Sequence, residues 1–452
     1  MSQSLLILGR QPALGIAEAE SLFGADKITP LGDQAVLIDV PAQDIPFSRI
    51  GGATRAAKLL TFLPYTEWDK IEQYLVEELP KHTCCLPEGK VRLGLSLYGF
   101  NLNVRRLNAS GLTLKKAVKN DGRSVRVVPN SASELNTAQV LHNQLTGPTG
   151  IEMILIRDGN RTVLAQTTAV QDIDAYAARD QARPARDARV GMLPPKLAQI
   201  IINLASGRLE QEDGKKEVLD PFCGTGVLLQ EALLMGYDVI GTDLEPRMIE
   251  YSQTNLAWLS AKFQILSSKF QLAVGDATDH QWLASALTSR IIAGETYLGR
   301  PFASEPRPDV LNEVMRDVDT IHRKFLKNVA QQTKPGFRLC IAVPAWKTST
   351  SAHHNSRNQT DDFRPGSAPS SLNIPKGMSR SPETALKQKS SSPGHASYGT
   401  QGSDGFKHLK TLDNLDELGY TRMSFVHADT RDLIYYRDNQ VVGRELVILI
   451  RK

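Results

Sequence analysis

Apolar residues recur along this chain with two periods, and the change from one to the other marks out its elements. Within 1–80, Leu5 to Leu8 and Ala35 to Val40 are short apolar runs that predict strands. Ile16 to Phe23 predicts a short amphipathic helix. Ala53 to Leu63 and Trp68 to Leu79 space their apolar residues at helical intervals and predict two more helices. Further on, Val91 to Leu97 and Arg123 to Val128 alternate as half-buried strands do. Thr137 to Leu145 predicts a helix, with strands after it at 151–157 and 161–168. Residues 173–190 are polar and rich in arginine and read as a connector. Leu193 to Ala205 then predicts an apolar helix, with Pro194 and Pro195 near its first turn, where a missing N–H is tolerated.

From 217 onward strand and helix patterns alternate, the signature of a doubly wound parallel sheet. Strands are predicted near 217–220, 238–242, 271–274, 290–294 and 337–343. Segments 421–427 and 445–451 are expected to form an antiparallel pair at the sheet edge, and 408–418 a helix before them. Between these strands, 347–405 is rich in Ser, Gly, Pro, Asn and His and has no apolar period, so it reads as a disordered surface insertion. The predicted layout is an α/β unit over 1–80, a second over 81–172, a connector over 173–192, and a large α/β domain over 193–452.

A length of 452 residues fits two or three domains, and 41% hydrophobic with 23% charged residues is ordinary for a globular protein. No run of about 18 apolar residues suggests a membrane span. The first ten residues lack the basic region of a secretory signal, so a cytoplasmic location is expected. Cys84, Cys85, Cys223 and Cys340 show no metal spacing and read as reduced thiols.

The sharpest chemical signal is Asp220-Pro-Phe-Cys-Gly-Thr-Gly226, set between a predicted strand and a predicted helix. Glycines at Gly224 and Gly226 let backbone approach a ligand closely, and the N–H groups of the turn suit an acidic ligand group. Asp243 ends the next predicted strand, where a carboxylate suits ribose hydroxyls. Asp276 ends the one after, where it could accept from an adenine amine. Phe222, Leu244 and Ala277 lie beside these acids. The turn lacks the first glycine of the dinucleotide-binding pattern and opens on an acid, a poor neighbour for phosphate. A cofactor with a cationic sulfonium, S-adenosyl-L-methionine, fits better.

These residues resemble the Trm11-type tRNA guanosine-N2 methyltransferases. The resemblance is carried by Asp220 to Gly226, by Arg183-Pro-Ala-Arg-Asp-Ala-Arg189, by Gly191-Met-Leu-Pro-Pro-Lys-Leu-Ala198 and by Leu8-Gly-Arg-Gln-Pro-Ala-Leu-Gly-Ile-Ala-Glu18. It implies a ferredoxin-like domain, a THUMP-like RNA-binding domain and a Rossmann-like class I methyltransferase domain, and transfer of a methyl group to an exocyclic guanine nitrogen of tRNA. The family carries Asp-Pro-Pro-Tyr after its fourth strand, where the carboxylate accepts from the target amine and the aromatic ring stacks on the base. Here the stretch is Gly294-Glu-Thr-Tyr-Leu-Gly299. The resemblance therefore puts Glu295 in the carboxylate's place and Tyr297 in that of the ring, with both prolines gone.

Charge adds one more feature. The whole chain carries only +4, yet Arg105, Arg106, Lys115, Lys116, Lys119, Arg123 and Arg126 fall between 100 and 130 with Asp121 as the only acid there. Such a cluster attracts phosphates without reading sequence and makes RNA, foremost tRNA, the expected partner. Arg179, Arg183, Arg186 and Arg189 of the connector extend it. Two competing readings are a non-catalytic RNA-binding protein that keeps a cofactor fold and a DNA methyltransferase.

Overall fold

The computed structural model describes residues 3–187, 192–209, 217–265, 269–282, 290–302, 304, 306–347, 405–437 and 440–452. The N-terminal strands are β1 (Ser4–Leu8), β2 (Ile28–Leu31), β3 (Ala35–Ile38), β4 (Ala53–Leu63), β5 (Val91–Tyr98), β6 (Val125–Val127), β7 (Gly150–Asp158) and β8 (Arg161–Val170). They form one sheet in the order β2-β3-β1-β4-β8-β7-β5-β6. Helices α1 (Pro12–Phe23), α2 (Trp68–Cys84), α3 (Val104–Asn120) and α4 (Thr137–His142) accompany them. The two units expected over 1–80 and 81–172 thus share a sheet, joined where β4 pairs antiparallel with β8. The boundary expected at residue 80 falls inside α2, whose Ile71, Leu75 and Leu79 pack with the strands of the second unit.

The helix expected over Ala53 to Leu63 is a strand. β4 pairs on both sides, with β1 and with β8, and its register slips between Ala56 and Ala57 and again between Leu59 and Thr61. The second of these carries its extra residue, Leu60, on β4 itself and turns the following side chains to the other face, so a period of two is broken into spacings that imitate a helix. The connector likewise holds a helix, α5 (Ile173–Gln181), capped by the Asp172 side chain.

The second sheet contains β9 (Glu217–Asp220), β10 (Asp238–Asp243), β11 (Phe270–Val274), β12 (Arg290–Glu295), β13 (Arg338–Lys347), β14 (Phe406–Lys407), β15 (Tyr420–Arg422), β16 (Ile434–Tyr435) and β17 (Val442–Arg451). Its main path runs β11-β10-β9-β12-β13-β17-β15. The first five of these are parallel, and β17 runs antiparallel between β13 and β15. The expected antiparallel pair is therefore present, with β15 at the edge and β17 one strand inside. Helices α6 (Pro195–Ser206), α7 (Val227–Leu234) and α8 (Pro246–Phe263) bury apolar residues against one face of this sheet, and α9 (Pro308–Gln332) packs on the other. Two tight 3-10 turns, Lys410–Asn414 and Asp416–Leu418, stand where a helix was expected over 408–418. The insertion expected at 347–405 lies outside the described residues except at its two ends, as do 188–191 of the family-like stretch.

The two sheets are fixed to one another through α1 and α6. Glu18 of α1 is fully buried and accepts from Gly51 N (3.0 Å), Gly52 N (2.7 Å) and Asn203 Nδ2 (2.7 Å) of α6. Arg338 of β13 donates to Leu204 O and to Ser21 Oγ, both at 2.7 Å. None of the described helices is long and apolar enough to cross a membrane.

Candidate active site

In an open α/β sheet, ligands bind outside the carboxyl ends of the strands, where strand order reverses. Here that place is β9, which has β10 on one side and β12 on the other. The turn from Asp220 to Gly226 leaves β9 at this point and opens α7. Gly224 and Gly226 have φ of +51° and +81°, a backbone region that disfavours side chains. A Cβ at Gly226 would lie 2.9 Å from Ser252 Oγ, so this turn is also packed tightly from behind. Ser252 of α8 donates to Gly224 O (2.7 Å), and Asn255 donates to Thr225 O (2.8 Å) and Ala185 O (2.9 Å). The connector is thereby stitched to the glycine turn.

Acids stand at four adjacent strand ends: Asp220 on β9, Asp243 on β10, Asp276 just after β11, and Glu295 on β12. Asp220 is 2% exposed, and its Oδ1 accepts from Phe222 N at 3.1 Å. Burial, with the negative charges of Asp243 and Glu295, holds its carboxyl well above the usual range. Asp243 accepts from Gly224 N (2.9 Å) through one oxygen and from Glu245 N (3.0 Å) through the other. Burial raises its carboxyl too, against these donors. Asp276 accepts from Thr278 N (2.9 Å).

Leu244 and Val274, at the ends of β10 and β11, are 64% and 52% exposed. Two large apolar side chains on the surface beside three acids suit a ligand with an apolar ring and hydroxyl and amine donors. Ala277 is buried. Phe222 packs edge-on against Phe325 of α9, with centroids 5.0 Å apart, and so braces the turn rather than presenting an open face.

The stretch after β12 is built from both sides of the sheet. Glu295 is ion-paired with Arg444 of β17. Burial raises its carboxyl and Arg444 opposes the rise. The next residue, Thr296, is buried and bonded to His322 of α9. Tyr297 is 44% exposed and borders a shallow hollow with Arg300, Glu313, Val314, Asp317 and Val318. Arg444, Thr296 and His322 were not singled out in the sequence. The one signal was an Arg-Glu pair at 444–445 inside an otherwise apolar strand.

The basic cluster divides. Arg105, Lys116 and Lys119 share one exposed face of α3 with Leu112, Lys115 is half-buried, and Arg126 is exposed on the edge strand β6. Arg106 is instead held by Asp69 (2.8 Å) and Glu72 (2.5 Å) of α2. Arg123 donates to the carbonyls of Leu86 and Pro87. In the connector, Arg179 is paired with buried Glu231 (2.7 Å), buried Arg183 is bonded to Asp180, and Arg186 donates to Gln181 O at 3.4 Å. Arg179 and Arg183 therefore serve the fold, and Arg189 lies outside the described residues.

Residues 183–289 match the family model described as UPF0020: RMKL-like, methyltransferase domain. Over 197 residues the chain is 29% identical to a tRNA (guanine(10)-N2)-dimethyltransferase of Methanothermobacter thermautotrophicus, covering 43% of this chain and 50% of that one. A relative of the same name from Pyrococcus abyssi is 29% identical over 153 residues, covering 34% and 39%. The chain thus spans about half the length, or less, of these curated relatives. Among solved structures, TrmN from Thermus thermophilus aligns over 100% of both chains with 14% identity and a TM-score of 0.46. The resemblance read from the glycine turn is borne out, and the second sheet is a Rossmann-like methyltransferase domain, which takes S-adenosyl-L-methionine as its methyl donor.

Proposed function

We propose that this protein transfers a methyl group from S-adenosyl-L-methionine to the exocyclic N2 of a guanine in tRNA, in the cytoplasm. The observation that carries the reading is the row of four carboxyl groups, Asp220, Asp243, Asp276 and Glu295, at four adjacent strand ends around the switch point. The names of the curated relatives point to the same reaction.

S-adenosyl-L-methionine supplies an electrophilic methyl group on a cationic sulfur. Asp243 would accept from the ribose hydroxyls and Asp276 from the adenine amine, with Leu244 and Ala277 beside the ring. The acidic surroundings of Asp220 suit the positive sulfur, and Gly224, Gly226 and Phe222 shape the turn that holds the methionine end. The target base must be flipped out of its stack to reach this edge. The amino lone pair of guanine is delocalised into its ring, so orienting the amine is the catalytic task. Glu295 accepts one N2–H, and Tyr297 offers a stacking face. As the new N–C bond forms and the S–C bond breaks, N2 releases one proton, which Glu295 can pass to water. In this reading the sheet of β1 to β8 is the THUMP-like tRNA-binding part, with Arg105, Lys116, Lys119 and Arg126 as its exposed cations.

The test is methyl transfer from labelled S-adenosyl-L-methionine to unmodified tRNA and to DNA, with nucleoside mass spectrometry of the product. N2-methylated guanosine from tRNA is expected, and Glu295→Ala is expected to lose about a hundredfold in rate. Absence of methylated guanosine overturns the reading. Tight tRNA binding without transfer would favour a non-catalytic binding protein, and methylated DNA a DNA methyltransferase.

A further inference from the structure

Glu295 and Arg444 are 149 positions apart in sequence, yet their side chains meet beyond the end of β12. The register explains how. Glu295 lies level with Ala342 of β13, and Ala342 with Leu446 of β17. Arg444 is two residues farther along the same face of β17, opposite Pro344, so its side chain reaches back over β13 to the carboxylate. Arg444 is almost wholly buried, at 4% exposure.

We propose that Arg444 is a positioning residue for methyl transfer: its guanidinium fixes the orientation and charge of the Glu295 carboxylate, so that Glu295 meets the target amine as an acceptor. The inference rests on the reading of Glu295 given above and goes beyond it. A carboxylate accepts hydrogen bonds, whereas a protonated carboxyl also donates one and competes with the amine hydrogens. The surroundings push Glu295 toward the protonated form. It is desolvated, and the Asp220 carboxyl of β9, whose Oδ1 lies beside Gly294, is itself raised by the charges of Asp243 and Glu295. Helix α6 holds one charged residue, Lys196, and that is engaged with Gln171. On β13 the charged residues are Arg338 and Lys347 at its two ends, and on the opposite face of the sheet Thr296 separates Glu295 from His322 and Asp319 of α9. Arg444 supplies the counter-charge. The neighbouring Glu445 points away from this pair and is bound by Arg422 (2.8 Å) and His408 (2.6 Å), which anchors the strand that carries Arg444.

The experiment compares wild type, Arg444→Lys, Arg444→Met and Glu295→Gln as full chains. Two readouts are taken: the pH profile of kcat with tRNA, and the carboxyl titration of Glu295 by NMR in protein labelled at the glutamate δ-carbon, with Glu295→Gln assigning the signal. For Arg444→Met the acid limb of kcat is expected to move up by a unit or more, a loss of about tenfold near the wild-type limb that recovers at higher pH. The Glu295 titration is expected to move with it, while KM for tRNA and affinity for S-adenosyl-L-methionine stay within about twofold of wild type. Arg444→Lys, which keeps the charge and folds with less disturbance, is expected to restore most of the rate. A loss of kcat that is the same at every pH, a wild-type rate, or an unmoved Glu295 titration in Arg444→Met overturns the proposal. If wild type transfers no methyl group to tRNA but the Glu295 titration still moves, the functional reading fails and the charge-setting role of Arg444 stands.

Discussion

The hydroxyl of Thr296, one residue beyond Glu295, lies 2.6 Å from Nε2 of His322. Nδ1 of the same ring is 2.7 Å from Val318 O, which can only accept, so Nδ1 carries a proton, and the Thr296 hydroxyl sits between Nε2 and Ala342 O, the latter at 2.9 Å. Burial pushes the histidine pKa down from 6.5 to about 4. The unfolded chain therefore binds a proton below pH 6.5 that the folded chain refuses until about pH 4. Stability is expected to fall as pH drops through that window, by about 3 kcal/mol for this group. Urea unfolding midpoints measured from pH 7 to pH 4 check this, with His322→Gln expected to flatten the acid slope. An unchanged slope in the variant would place the acid sensitivity elsewhere.

Cofactor affinity is expected to depend on Asp243 and on the glycine turn. Asp243→Ala removes a charged acceptor from the end of β10 and also leaves Gly224 N and Glu245 N without their partner. A loss of about 1.5–3 kcal/mol in S-adenosyl-L-methionine binding is expected. Gly226→Val is expected to weaken binding as well, because φ is +81° and Ser252 Oγ leaves no room for a Cβ. At Gly224 the space is open, so Gly224→Val acts through its φ of +51° rather than through a clash. Calorimetric titration reads these effects, and wild-type affinity in Asp243→Ala and Gly226→Val would refute the assignment.

The tRNA surface is expected on the exposed face of α3. Replacing Arg105, Lys116 and Lys119 together with serine is expected to flatten the slope of log affinity against log salt by roughly two, since fewer counterions are released. Arg106→Ala is expected to leave that slope alone, because Arg106 is already neutralised by Asp69 and Glu72. Filter binding at several salt concentrations distinguishes the two variants. Equal slopes in wild type and the triple variant would move the RNA surface off this helix.

The junction between the two sheets is expected to be a major element of stability. Glu18→Ala leaves Gly51 N, Gly52 N and one of the two Asn203 Nδ2 hydrogens without their acceptor in a buried interface, the other staying on Arg49 O, at a cost of about 3 kcal/mol or more. Denaturant titration monitored by circular dichroism measures it. A change under about 1 kcal/mol would mean that α1 and α6 are held by their apolar contacts alone.

By itself the sequence determined the elements whose chemistry is local. The turn from Asp220 to Gly226 was legible because strand, acid, glycines and helix are contiguous, and each glycine is needed for its own backbone angle. Asp243 and Asp276 followed because a parallel sheet repeats the same strand-end position in every unit. Tertiary structure decided what depends on distant neighbours. Ala53 to Leu63 has the spacing of a helix, and pairing with β1 and β8, with two slips of register, makes it a strand. Seven basic residues in 22 positions looked like one surface, but only the packing of α2 against α3 shows that Arg106 is taken by acids 34 and 37 residues away. The partner of Glu295 was not legible until the antiparallel return of β17 brought Arg444 onto it. The physical reason is common to these cases. Backbone angles and side-chain periods are set by near neighbours, whereas burial and charge pairing are set by whichever segments the fold brings together.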